Sequence, residues 1–144
     1  MKVDFWQISR DPPARVVALI AARVLAQGER LLVVSADAEQ RQLIAKALWA
    51  AGPESFLANG HAGAAGEERQ PILLSDVCEA PNGASHVVFA DGAWRESTGF
   101  ARLFLLFGED TLDAARGTWR TLAGAAGVER SFYRQDGGRW TKIA

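Results

Sequence analysis

Short unbroken apolar runs, alternating with segments of helical period, constrain what this chain can fold into more than any other feature. Residues 31–34 read Leu-Leu-Val-Val, residues 72–74 Ile-Leu-Leu and residues 86–90 His-Val-Val-Phe-Ala. Such runs predict strands covered on both faces, as in a parallel sheet between helix layers. Residues 3–8 and 100–107 read as two further strands. Between the first two strands, Val16, Val17, Ile20, Val24 and Leu25 form the apolar face of a helix. Asp11 is its expected cap, with proline in its first turn, and Gly28 stops it. Ser35 to Asp37 lead into a second helix ending near Ala51, with Leu43, Ile44, Ala47 and Leu48 facing inward and Gly52-Pro53 as terminator. Trp49 falls about 100° round that helix from Leu48, at the edge of the stripe or beyond it.

Residues 60–66, rich in glycine and alanine, read as a flexible connection, and residues 130–135 and 139–143 flank a hairpin turn at Asp136-Gly137-Gly138. This order predicts an α/β fold: a single three-layer domain over residues 1–144, with a mostly parallel central sheet, helices on both faces and a C-terminal hairpin. A chain of 144 residues removes roughly two-thirds of its unfolded surface from water, enough for one core.

The late segment from Glu109 to Ala123 begins acidic and ends basic. Asp110 or Thr111 is the expected N-cap, and Asp113 suits the positive end of the helix dipole. Leu112, Ala115, Trp119 and Leu122 recur at three and four residues and give an apolar stripe, with Arg116 and Arg120 one turn apart beside Trp119. Two like charges at that spacing cost about 0.2–0.5 kcal/mol in an isolated helix, which raises the question of what anion they face. Gly117 and Gly124 each cost up to about 1 kcal/mol against alanine, a cost that close packing on the sheet would explain.

Several classes of function fit poorly. A formal net charge of −1 lacks the basic footprint of a protein that neutralises many phosphates, so direct nucleic-acid binding is not expected. The apolar runs at residues 16–22 and 103–107 fall far short of the roughly 20 residues that cross a bilayer, and Asp4 interrupts any leader-like N-terminus. The expected location is the cytoplasm. Cys78, His61 and His86 have no metal-ligand spacing, so neither a metal nor another cofactor is expected. Residues 8–14 contain no glycine, and no Gly-Lys-Ser or Gly-Lys-Thr occurs, which argues against a nucleotide loop. Asp37, Asp76 and Asp91 follow strands, where ligands gather in open α/β sheets, and an α/β enzyme using them is the alternative reading. Short acidic residues at strand ends are more often turn formers or helix caps. Among five tryptophans, Trp49, Trp94, Trp119 and Trp140 lie beside charged or turn residues, and tryptophan with arginine is the pairing that interfaces use as anchors.

The order Leu48-Trp49-Ala50-Ala51-Gly52-Pro53-Glu54-Ser55-Phe56, then Gly108-Glu109-Asp110-Thr111-Leu112 leading to Ala115-Arg116 and Trp119-Arg120, resembles the chi subunit of bacterial DNA polymerase III holoenzyme. The opening strand and the passage from Gly28 to Val33 share in the resemblance, which runs nearly the whole chain. It implies a clamp-loader accessory subunit with no catalytic activity of its own. Its partners would be the psi subunit and the acidic, phenylalanine-ended C-terminal tail of single-stranded DNA-binding protein, with a helicase competing for the psi surface. On this resemblance Trp49, Pro53 and Phe56 correspond to psi-facing positions, and Leu106, Arg116, Trp119 and Arg120 to tail-binding ones. Two features depart from the pattern: Trp119 stands where tyrosine is usual, and Leu112 where lysine would strengthen the basic rim. Arg130, Arg134, Arg139 and Lys142 of the hairpin are the residues placed to compensate.

Overall fold

The computed structural model describes residues 1–51 and 57–144. Its elements in chain order are β1 (Lys2–Gln7), α1 (Pro13–Ala26), β2 (Leu31–Val34), α2 (Ala38–Trp49), β3 (Asn59–His61), β4 (Ile72–Ser75), β5 (His86–Phe89), β6 (Arg102–Phe107), α3 (Leu112–Leu122), β7 (Glu129–Asp136) and β8 (Arg139–Lys142). Among the described residues the strands join in one sheet, ordered β3-β4-β2-β5-β6-β1-β7-β8, in which only β7 and β8 pair antiparallel. The α/β sheet with helices on both faces and a terminal hairpin is as the apolar pattern predicts. Leu31, Leu32, Val33 and Val34 of β2 are all fully buried, as a central parallel strand requires.

Period-two alternation divides the core between two faces of the sheet. On one side Trp6, Val33, Val88, Phe104 and Leu106 meet α1 and α2 through Val17, Ile20, Val24, Ile44 and Leu48. On the other side Phe5, Val34, Phe89, Leu105 and Phe107 meet α3 through Ala115, Leu112, Trp119 and Leu122. From the centre of the sheet, α1 carries the chain one way along one face, past β6 and β5 to β2. The α3 connection carries it the other way along the opposite face, past β1 to β7. Where these directions part, the carboxyl ends of β1 and β6 border a groove of about 430 Å3 that includes Ile8, Leu106, Gly108, Glu109 and Asp110.

Asp4 of β1 is wholly buried and accepts from the Arg102 guanidinium of β6, through Nε at 3.0 Å and through Nη2. Removing one partner of such a pair leaves an uncompensated buried charge, so the two residues act as a unit across neighbouring strands. The terminal hairpin closes through Gly137 and Gly138 at φ of 55° and 89°, between the facing residues Asp136 and Arg139. Positive φ at both central positions gives the ribbon the twist its strands need, and glycine adopts it without strain.

Several local expectations are corrected. Leu43 points outward and is 57% exposed, because Ile44 and Leu48, four residues apart, set the centre of the buried stripe of α2. Residues 60–66 are not flexible connection throughout: Gly60 and His61 belong to the edge strand β3, parallel to β4, and a single 3-10 turn at Glu67–Arg69 follows the segment. Asp11 does not cap α1; its carboxylate accepts from Gln135 Nε2 at 2.7 Å, while Gln135 Oε1 in turn accepts from the amides of Ser9, Arg10 and Asp11. A β-carbon at Gly117 or Gly124 would meet no heavy atom within 4 Å, so close helix-sheet packing does not account for either glycine.

Candidate peptide-binding surface

The approach to α3 is tied at Gly108. Its amide donates to Thr111 Oγ1 at 3.1 Å, drawing residues Glu109–Thr111 into a 3-10 turn. Thr111 therefore spends its hydroxyl outside the helix, and neither Thr111 nor Asp110 caps α3 with its side chain. Asp113 still lies in the first turn, where negative charge suits the helix dipole.

Within α3 the expected stripe faces the sheet. Ala115 is buried, and Leu112, Trp119 and Leu122 pack around it. The Trp119 ring stands edge-on to Phe5, with centroids 5.2 Å apart at 86°, and to Phe132, at 5.7 Å and 88°. These are favourable aromatic geometries, and they fix the indole from two sides. Arg130 of β7 fixes it from a third: its guanidinium carbon lies 3.8 Å from the ring centroid, and Nη1 donates to the Trp119 carbonyl at 2.6 Å. That carbonyl is among the last of the helix, where no amide follows to take it. Arg130 thus satisfies the helix end and covers the ring at once. Nothing in the sequence joins positions 119 and 130, and only the parallel placement of β7 beside β1 reveals the pair.

Arg116 and Arg120 lie on the exposed flank of α3. Neither guanidinium has an acidic or hydrogen-bonding partner among the described residues. Two guanidinia one turn apart, beside a fixed aromatic ring, are suited to a carboxylate, since each can donate a pair of parallel hydrogen bonds. Leu106 does not join them. It is 1% exposed and points to the α1/α2 face, because residues 104 and 106 of β6 face away from α3 while 103, 105 and 107 face it.

The second expected surface is less completely described. Trp49 ends α2 and is 63% exposed, the most exposed of the large apolar side chains among the described residues. Pro53 and Phe56 lie outside the described residues. The other tryptophans with polar neighbours are packing residues: Trp94 stands edge-on to Phe89 at 5.8 Å, and Trp140 lies 4.6 Å from Trp6.

The strand-end aspartates have local duties. Asp37 caps α2, accepting from the amides of Glu39 and Gln40 at 2.9 and 3.3 Å. Asp91 accepts from both terminal nitrogens of Arg95, at 2.9 and 2.7 Å, and from the amide of Ala36. Burial opposes its charge, but the hydrogen bonds from Arg95, Ala36 and Ala93 outweigh it and hold the carboxyl below its ordinary pKa. Asp76 is exposed. Cys78 is pushed up in pKa by burial, which makes it a poorer nucleophile. Among the described residues no group of three or more His, Cys, Asp or Glu is placed to hold a metal, and no helix is long and apolar enough to cross a membrane.

No curated protein matches the chain. A family model described as the DNA polymerase III chi subunit, HolC, matches residues 1–129, from the N-terminus to the first residue of β7. The chain therefore belongs to the DNA polymerase III chi subunit family, whose members are accessory subunits in DNA replication and not themselves catalytic.

Proposed function

We propose that the chain is a replication adaptor with two separate protein-binding surfaces. Arg116, Trp119 and Arg120 hold the acidic C-terminal tail of single-stranded DNA-binding protein, and Trp49, with Pro53 and Phe56, holds the psi subunit. Together they link the clamp loader to coated template strand. A helicase using the psi surface would compete with psi. The observation that carries the tail site is the pair of unpartnered guanidinia beside a ring fixed by Phe5, Phe132 and Arg130. A tail ending in phenylalanine and a free carboxylate needs a guanidinium for the carboxylate, positive charge for the aspartates before it, and an apolar surface for the ring. Since Leu106 faces the other layer, that apolar surface is offered by the half-buried Trp119 and Leu112.

Fluorescence anisotropy of a labelled acidic peptide ending in phenylalanine tests the reading. Binding should saturate, weaken with salt and disappear when the terminal phenylalanine is deleted. Equal affinity for the wild type and Arg116→Ala would refute the site, and no binding by either protein would refute the adaptor reading. The alternative of an α/β enzyme built on Asp37, Asp76 and Asp91 gains no support, since the first caps a helix and the third is engaged by Arg95.

A further inference from the structure

The sheet ends on β8, and no further strand pairs with its outer side among the described residues. Which backbone groups face outward follows from the pairing. Phe132 donates its amide to the Ala144 carbonyl at 3.0 Å and accepts from the Ile143 amide at 2.8 Å, whereas the Glu129 amide donates to Met1 of the β1 side. Alternate residues of β7 therefore turn to β8, Phe132, Arg134 and Asp136 among them. Their partners Thr141 and Arg139 turn back to β7, so Trp140 and Lys142 each direct an N–H and a C=O away from the sheet. Such a row is a ready template for another strand. The side chains give it a sign. Arg139 lies on the α3 face and Lys142 on the opposite face with Trp140. Both are exposed, and neither has an acidic partner among the described residues, since Asp136, which faces Arg139, is taken by Arg134 at 3.3 Å.

We propose that β8 takes an extended acidic segment of a partner protein as an added strand. The backbone of Trp140 and Lys142 supplies the hydrogen bonds. Arg139 and Lys142, on opposite faces, select acidic residues at their own spacing in the added strand. Charged residues on an edge ordinarily keep strands from pairing. Here both charges have one sign, so they repel a basic strand and attract an acidic one. A second copy of the chain is the poorer occupant, because its β8 would bring the same two cations and no acid. The family match stops at Glu129, so this edge lies beyond the residues that the family model covers. It also requires neither Arg116 nor a terminal phenylalanine, and so stands apart from the proposed tail site.

The test is a titration of the full 15N-labelled chain with the capped peptide Thr-Val-Asp-Val-Thr-Asp-Val-Thr, which has no phenylalanine and no free carboxyl terminus. The amides of Trp140 and Lys142 should shift saturably and exchange with solvent about tenfold more slowly, while those of Arg116 and Arg120 stay in place. A peptide with lysine in place of both aspartates should bind about tenfold more weakly. Lys142→Pro removes an outward amide and one charge but no bond to β7, and should weaken binding at least about fivefold. Should that variant fail to fold, Arg139→Glu combined with Lys142→Glu should reverse the preference to the lysine peptide. Unmoved Trp140 and Lys142 amides overturn the proposal, as do equal affinities for the two peptides or binding indifferent to Lys142→Pro. So does a shift of the same amides on raising the protein concentration without peptide, which a second copy would give.

Discussion

Trp49 and Trp119 both sit late in helices of about three turns, and their environments could hardly differ more. Trp119 continues a stripe set by Ala115 and Leu122, so its ring is carried onto the sheet and locked between Phe5 and Phe132. Trp49 follows Leu48 by one residue, and that step of about 100° turns it out of the core, leaving it 63% exposed. An aromatic ring on a proposed binding surface thus arises in two ways. One is an integral part of the fold, presented together with two free guanidinia; the other is an appendage that the fold does not require.

The widest separation between the two should appear in stability. Trp119→Ala should lower unfolding free energy by about 3 kcal/mol, the lower end for a core aromatic because the ring is only half buried, whereas Trp49→Ala should change it by less than about 0.5 kcal/mol. Urea denaturation of the two variants measures both, and equal losses would dissolve the distinction. Binding sharpens it next. Arg116→Ala should weaken an acidic, phenylalanine-ended peptide about tenfold, or about 1.4 kcal/mol, with the denaturation midpoint unmoved. Arg130→Leu should cost about 1 kcal/mol by removing the cation–π contact and the carbonyl bond, and should shift the Trp119 indole resonance while leaving that of Trp49 in place.

The smallest expected effect concerns acid. Asp91 has a pKa below its ordinary value of 3.8, so its contribution to stability is complete above that value and is lost as pH falls through the lower, folded-state pKa. Asp91→Asn should remove that part of the acid limb. Because Asp91 belongs to neither tryptophan surface, the loss should be the same whether unfolding is followed at Trp119 or by circular dichroism.

The layers were legible because unbroken apolar runs and helical periodicity report directly on burial. The place of Trp49 at or beyond the edge of the α2 stripe, and the stripe of α3, followed from the same geometry. What escaped the sequence was mostly settled by partners far along the chain. Asp11 reads as a cap until Gln135, brought beside it by β7, takes its carboxylate. Leu106, which the resemblance groups with the tail-binding residues of α3, is turned away from them by the alternation of β6, which assigns successive residues to opposite faces. Residues 59–61 have no apolar pattern, and they are a strand only because β4 offers an edge for them to pair with. The Arg130–Trp119 contact likewise depends on a parallel strand pairing that no local motif announces.

The division of labour between the two tryptophans is tested most directly by titrating the 15N-labelled chain with the acidic, phenylalanine-ended peptide and following both indole signals together. The Trp119 indole and the amides of Arg116 and Arg120 should shift saturably while the Trp49 indole stays in place. A shift of Trp49 with α3 unmoved would contradict that division.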